Sequence, residues 1–432
     1  MPDASKISIL YVCPRAHETG HYSDRTRSEI ESLLKAGVEV ALLTFQGLRD
    51  GGLPPGVKQY TVIRADSWLA SSIEALSALK VFYYARHLIY QIVCISYAMR
   101  IVKRHKYDFC YLLNADPYMF LPFVFATFMR NTCWILIMMT PFYALKGSFA
   151  HGYPRSMDVY RRCQNFGLWR PVYRLAMLRN RFIVVGHDEL TVNAYNGFLR
   201  GVLKGHVYLI PWGYNLVEPE VSQSDARKAL GLPAAQTILL LFGVVHQGRD
   251  PETVIEALVE MPDICVLQVG FVPPHRHERI VSLVKSLGVG IRYLIVNEWV
   301  SEEVKRLYFF AADAVILSYK EEFLEWPSVL WTACSLKRPL IANDRPSIKA
   351  CVEKYAVGLV FKTSNPQSLR LSISQLIPMT RSEIQTLRQN CITLTQDTSS
   401  DHSAKILVGI LQRREEERMG GFASPQTGSF VK

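Results

Sequence analysis

Residues 312–343 read ADAVILSYKEEFLEWPSVLWTACSLKRPLIAN, and their order of residue types decides the fold class. A short apolar run at 314–317 has the look of a buried strand, and a polar loop follows it. Pro327 then opens a short helix, since proline fits a first helical turn whose N–H is unpaired anyway. A second strand begins at Pro339. A helix that starts at the carboxyl end of a parallel strand offers free backbone N–H groups and the positive end of its dipole. Such a mouth suits an anion, a diphosphate above all.

The same alternation runs outward in both directions. In the first half, strands are expected at 7–12, 38–45, 109–113, 133–138, 182–185 and 207–210, with a helix over 25–36 ended by Gly37. The turn PWGYN at 211–215 punctuates the chain. A second series then predicts strands at 238–242, 264–269, 291–295, 314–317 and 340–342, with helices at 252–260, 276–287 and 302–311. Continuous apolar strands separated by helices imply parallel sheets covered on both faces. The expected fold is α/β, with two doubly wound domains facing across a cleft. The expected boundaries are 1–213 for a basic first domain, 214–400 for the second, and 401–432 for a last helix and a disordered tail.

At 432 residues the chain is long enough for two complete cores, and 49% hydrophobic with 20% charged residues is a globular balance. Charge is unevenly placed. Residues 1–215 carry 25 Lys and Arg against 14 Asp and Glu, a net +11, whereas 216–432 carry 24 of each kind. An anionic partner of the first half follows, either a membrane surface or a phosphate-bearing acceptor, and the plain alternative is charge that serves solubility alone. No pattern of a nucleic-acid-binding module accompanies it. Residues 88–99 are uncharged but fall short of the ~20 that span a bilayer, so they read as a core helix or one lying at a membrane surface. The nine cysteines are scattered with no CxxC pair, and no signal peptide precedes them, which suggests buried thiols in a reducing, cytoplasmic setting.

Several spaced motifs resemble one family. In LLLFGVVHQGRDPETVIEAL, anchored on Phe242-Gly243 and Glu256-Ala257-Leu258, Arg249 falls where the retaining family-four glycosyltransferases of the GT-B fold place a lysine, and His246 where they place an arginine. VSEEVKRLYFFAADAVILSY is similar to their helix, Ala-Asp, strand unit, SDRTRSEIESLLKAGVEVALLTF to their opening, and LIPWGYN to their domain junction. The resemblance covers roughly residues 7–376. It implies a donor site for a nucleotide diphosphate sugar in the second domain, a glycan or lipid-linked acceptor at the first, and no resident cofactor. The family's Glu-x7-Glu pair falls on Leu324 and Thr332, neither of them a carboxylate, with Glu325 one position away.

On that resemblance Arg249 is the expected cation at the diphosphate and Glu325 a carboxylate facing a sugar or ribose hydroxyl. Gly243, His246, Ser328, Val329 and Thr332 are expected around the donor, Glu298 and Trp299 near its base, and Gly20 with His21 in a loop after the first strand that approaches the ligand from the other domain. A fixed cation and a helix N-terminus suffice to hold a diphosphate without metal. The chain has no Asp-x-Asp, Walker A, GxSxG or HExxH sequence, and no GxGxxG after a strand. The rival readings are a nucleotide-sugar 2-epimerase of the same fold and a catalytically silent protein of that fold acting as a partner in polysaccharide assembly.

Overall fold

The structure is a computed structural model that describes residues 6–18, 21–48, 52–63, 80–113, 120–138, 170–198, 207–218, 220–321, 323 and 326–419. In the first half the chain runs β1 (Ser8–Val12), α1 (His21–Lys35), β2 (Glu39–Thr44), β3 (Lys58–Thr61), α2 (Lys80–His105), β4 (Phe109–Leu112), α3 (Phe120–Ala126), β5 (Cys133–Met138), α4 (Arg170–Arg179), β6 (Arg181–Gly186), α5 (Glu189–Phe198) and β7 (Val207–Leu209). The strands form one parallel sheet in the order β3-β2-β1-β4-β5-β6-β7. The inner strands are apolar on both faces, as in CWILIM, because helices cover both sides. One covering layer is α2, α3 and α4, and the other includes α1.

The second half continues with α6 (Gln223–Ala229), β8 (Thr237–Phe242), α7 (Pro251–Ala257), β9 (Ile264–Val269), α8 (Pro274–Ser286), β10 (Tyr293–Val296), α9 (Glu302–Ala311), β11 (Ala314–Leu317), α10 (Ser328–Ser335), β12 (Leu340–Asn343), α11 (Pro346–Tyr355) and β13 (Gly358–Phe361). Its parallel sheet has the order β10-β9-β8-β11-β12-β13. The helices α12 (Pro366–Leu376), α13 (Arg381–Thr398) and α14 (Ser400–Met419) close the described chain. Capping is explicit in sequence: Asp250 precedes Pro251 and accepts from the Thr253 N–H, while Thr380 and Glu383 form a reciprocal capping box on α13.

Three features depart from the sequence reading. The edge strand β3 and the strand β13 were not expected, and the strand placed at 291–295 lies at Tyr293–Val296. The last helix, expected within 401–432, runs from Ser400 to Met419. It also crosses back to the first domain, where Ala404, Leu407, Ile410 and Leu411 enter the core beside α1. Burying side chains of this kind stabilises by about 1.5–3 kcal/mol each.

The chain therefore passes between the halves twice, at 211–215 and at 398–401. The two passages are bonded: Ser400 Oγ donates to the Gly213 carbonyl at 2.8 Å, and Asn215 and Asp401 exchange two hydrogen bonds of 3.2 Å. A methyl group on Gly213 would lie 2.8 Å from Thr398 Oγ1 and 3.2 Å from the Trp331 ring, so only glycine fits this crossing. The described cysteines are buried and unpaired. No helix among the described residues is long and apolar enough to cross a membrane.

Candidate functional site

In the second sheet the strand order reverses between β8 and β11, and the crevice beyond their carboxyl ends is where doubly wound sheets bind ligands. Gly243 closes β8 with φ +107°, and its N–H donates to the Val269 carbonyl at 2.8 Å. A Cβ there would stand 2.9 Å from Arg249 Nη2 and 3.6 Å from Val329 Cγ2. The end of β8, the Arg249 loop and the start of α10 thus converge on one point. Gly270, at the end of β9 with φ +129°, would bring a Cβ to 2.6 Å from the Gly243 carbonyl oxygen, so two bare backbones form the floor.

Arg249 is the centre of this arrangement. It is 4% exposed, and its guanidinium lies 4.4 Å from the centroid of the Tyr319 ring. Nη2 donates to the Phe242 carbonyl, while Nη1 is buried with no hydrogen-bond partner among the described residues. Burial holds its pKa below the usual arginine value, with only Tyr319 acting in the opposite direction. The neighbouring carboxylate, Glu252 on α7, is taken by Arg276 at 3.1 Å. A buried guanidinium with one open N–H edge and no carboxylate partner among the described residues is a poor structural element and a good anion receptor. Its open edge is a single arm, because Nη2 is already committed to the Phe242 carbonyl.

His246 sits at the rim with an exposed edge, its ring 5.7 Å from that of Phe323 and 6.4 Å from that of Tyr319. The Gly248 N–H donates to Nδ1 at 3.1 Å, which fixes Nδ1 as the acceptor and leaves Nε2 to carry the proton. Desolvation, then Arg249 and Arg276, lower its pKa to about 4. At neutral pH His246 is a neutral donor.

Ser328 and Val329 open α10 after Pro327, and by helix geometry their N–H groups have no intrahelical carbonyl to meet. Val329 Cγ2 lies 3.6 Å from where a Cβ on Gly243 would stand, so this end of α10 faces the crevice. Thr332 lies one turn on, and its hydroxyl donates back to the Ser328 carbonyl at 3.1 Å, which occupies its proton. Leu324 and Glu325 lie outside the described residues. Trp326 stacks on Trp331 at 5.2 Å and donates from Nε1 to Asp188 Oδ2 at 2.8 Å. Asp188 follows β6, so this contact turns the carboxyl edges of the two sheets toward each other.

Glu298 and Trp299 follow β10 and are both exposed. Trp299 stacks in parallel on Phe271, which follows β9, at 6.2 Å and 12°. Together they form an aromatic shelf beside the Gly270 floor. On the first domain, Gly20 lies outside the described residues. His21 is the first residue of α1, which corrects its expected place in a loop.

Sequence reading missed four contributors. Tyr319 and Gly270 were legible only as a residue after a strand and a glycine after a strand. The Trp326–Asp188 bond and the Phe271–Trp299 pair join segments distant in sequence. A fifth group lies at the junction of the halves: Arg25 is fully buried, pairs with Glu29 at 2.6 Å, and lies 4.3 Å from the Trp212 ring centroid. Its Nη2 meets His187 Nε2 at 2.7 Å, and His187 Nδ1 meets the Ile210 carbonyl at 2.8 Å. Tyr11 and Tyr111 donate to the same Glu29.

The crevice supplies a fixed cation, a helix N-terminus and a neutral histidine donor around a glycine floor. Such a set binds an oxyanion of two or more phosphates, and an aromatic shelf at the side suits a planar base. Among the described residues no three His, Cys, Asp or Glu side chains gather as a metal site.

No family model matches the chain. Over 107 residues it is 28% identical to the D-inositol 3-phosphate glycosyltransferase of Mycobacterium sp. (strain JLS), covering 23% of this chain and 24% of that protein. The chain thus spans about a quarter of the length of the curated relatives it matches. Among solved structures, sucrose-phosphate synthase from Thermosynechococcus elongatus superposes with a TM-score of 0.65 at 18% identity, covering 96% of this chain and 100% of that one. HepE from Anabaena, solved with UDP, gives 0.64 at 15% identity over 94% of this chain and 100% of its own. With two doubly wound parallel sheets, two crossings between them and this match along nearly the whole chain, the protein has the GT-B fold and resembles the family-four glycosyltransferases.

Proposed function

We propose that the protein is a glycosyltransferase that moves a hexosyl group from a nucleotide diphosphate sugar to a glycan or lipid-linked acceptor, with retention and without a metal ion, in polysaccharide or glycolipid biosynthesis. The observation that carries this reading is Arg249, a buried guanidinium beside Gly243 and the start of α10 whose Nη1 has no hydrogen-bond partner among the described residues. Charge develops on the leaving diphosphate as the anomeric bond breaks, and a cation already fixed in place stabilises it without reorganising. The N–H groups opening α10 add to that field. Neutral His246 donates a hydrogen bond and adds no second charge beside Arg249. The base would lie on the Phe271–Trp299 shelf, with Glu298 at its edge. Glu325, in the loop before α10, would face a sugar or ribose hydroxyl. Gly20 and His21 would approach from the first domain, where the acceptor sits at a cytoplasmic membrane face. HepE, of the same fold, has been solved with UDP-glucose, which supports a nucleotide-sugar donor here.

The test is a thermal-shift titration with UDP-, GDP- and dTDP-sugars, followed by product analysis with the donor that binds. One donor should raise the melting temperature in a concentration-dependent way. A flat response to all of them overturns the reading. Donor binding without turnover on any acceptor would favour a silent binding protein, in keeping with the engaged hydroxyl of Thr332.

A further inference from the structure

The covering layer of α2, α3 and α4 has an outer face unlike the rest of the surface. None of the three helices contains an Asp or Glu, in KVFYYARHLIYQIVCISYAMRIVKRH, FLPFVFA and RPVYRLAMLR. They lie side by side on the same side of the first sheet, burying Tyr90, Cys94, Phe123 and Ala176 in a common core, so their other faces point outward together. That outer face carries large apolar side chains. Leu178 is 85% exposed and Phe128 72%, with Leu175, Ile89 and Ile92 exposed as well. Between them stand exposed Arg100, Arg104, Arg130 and Arg174, and none of these four has an ion pair among the described residues. The layer is fixed at its lower end, where Arg179 Nη1 donates to the Thr127 carbonyl at 2.6 Å, next to Phe128.

We propose that this face docks on an anionic lipid surface. Cations without local carboxylates match a sheet of anionic headgroups, and interleaved Leu and Phe side chains gain by leaving water for the acyl boundary. A nucleic acid would use the arginines but give the exposed leucines and Phe128 nothing. The location also fits delivery of an acceptor. α2 begins at the carboxyl edge of the sheet, where Arg86 pairs with Glu18 of the loop after β1 at 3.7 Å. The docking face therefore extends from the candidate cleft down the side of the first domain. The inference rests on the membrane-facing part of the proposed function and is independent of the transfer chemistry.

The experiment is co-sedimentation of the full chain with phosphatidylcholine vesicles, with and without 30% phosphatidylglycerol, at low and high salt. Two variants are compared, Arg100→Glu/Arg104→Glu/Arg174→Glu and Phe128→Ser/Leu178→Ser. All five positions are exposed, and unchanged melting curves confirm folding. The full chain should sediment with the anionic vesicles alone and be released in large part, but not completely, by salt. Each Lys or Arg near such a surface contributes roughly fivefold in partitioning, so the triple charge change should lower binding by about a hundredfold or more. The apolar pair should weaken the salt-resistant remainder. Absence of binding to anionic vesicles overturns the proposal, as does binding that the triple variant leaves unaltered. Self-association abolished by Phe128→Ser/Leu178→Ser, or tight binding of a single-stranded oligonucleotide with none to vesicles, would reassign the face to a second copy or to nucleic acid. Because no donor is present, failure here leaves the transfer reading untouched, and failure of sugar-nucleotide binding leaves this one.

Discussion

Replacing Arg249 by methionine separates a structural arginine from a ligand-binding one. Methionine keeps most of the aliphatic volume and removes the charge. In the unliganded protein two effects then oppose each other. The Nη2 bond to the Phe242 carbonyl and the contact with the Tyr319 ring are lost, at a cost of about 1.5–3 and 0.5–2 kcal/mol. The buried Nη1, which has no partner among the described residues, is removed too, and relieving such a group returns about 1–3 kcal/mol or more for a charged one. The net change in stability should be small, within about 2 kcal/mol of zero.

The liganded protein behaves differently. A charge-assisted hydrogen bond to a phosphate oxygen contributes about 1.5–3 kcal/mol, so affinity for a nucleoside diphosphate should fall by roughly tenfold to 150-fold. Urea titration measures the first quantity and calorimetric titration with UDP, GDP and dTDP the second. The expected signature is a nearly unchanged unfolding midpoint with a large loss of affinity. A steep fall in stability with affinity preserved would show that Arg249 holds the β8–α7 loop in place and that the anion site lies elsewhere.

Three further outcomes follow from single residues. Gly243→Ala places a methyl 2.9 Å from Arg249 Nη2 at a backbone φ of +107°, so it should cost about 1–3 kcal/mol and weaken diphosphate binding together with it; wild-type affinity would contradict the shared floor. Gly213→Ala puts a methyl 2.8 Å from Thr398 Oγ1 where the two crossings meet, and overpacking of this kind lowers stability by about 1–3 kcal/mol, read from the urea midpoint. His187 is pushed down to about 3 by burial and then by Arg25. Its folded pKa lies below the unfolded value near 6.5, so the unfolded chain takes up a proton first, and stability should decline as pH falls from about 6.5 toward 3. His187→Gln should flatten that part of the pH profile of the urea midpoint, and an unchanged slope would assign the pH dependence to other groups.

Much of the architecture was legible because the inner strands announce themselves. CWILIM, TILLLF and ICVLQV are apolar at nearly every position, and only a strand covered on both sides tolerates that. Strand β3, KQYT, escaped because it is an edge with three of its four residues exposed, so its pairing with β2 leaves no hydrophobic trace. The return of α14 to the first domain escaped for a related reason. RREEER reads as a solvated run, whereas the apolar residues that decide the helix, Leu407, Ile410 and Leu411, bury against a domain nearly 200 residues earlier. Sequence patterns record what a segment needs, not which distant surface supplies it.

The candidate site divides along the same line. Gly243 and Arg249 were legible because a strand end, a glycine and a cation follow one another within seven residues. The group beneath that cation was not. Tyr319 reaches Arg249 from the loop after the neighbouring strand β11, pairs with it as an isolated bridge, and stacks on Phe323 at 4.0 Å. That stack explains how a guanidinium with no carboxylate partner among the described residues persists in a buried place: the ring face supplies a diffuse negative potential that keeps the charge without neutralising it. A carboxylate in the same position would hold Arg249 more firmly and would also compete with an incoming phosphate. An aromatic partner leaves the charge available, and the position of Tyr319 is therefore the strongest physical reason to read the crevice as a receptor for anions and not as an ordinary buried ion pair.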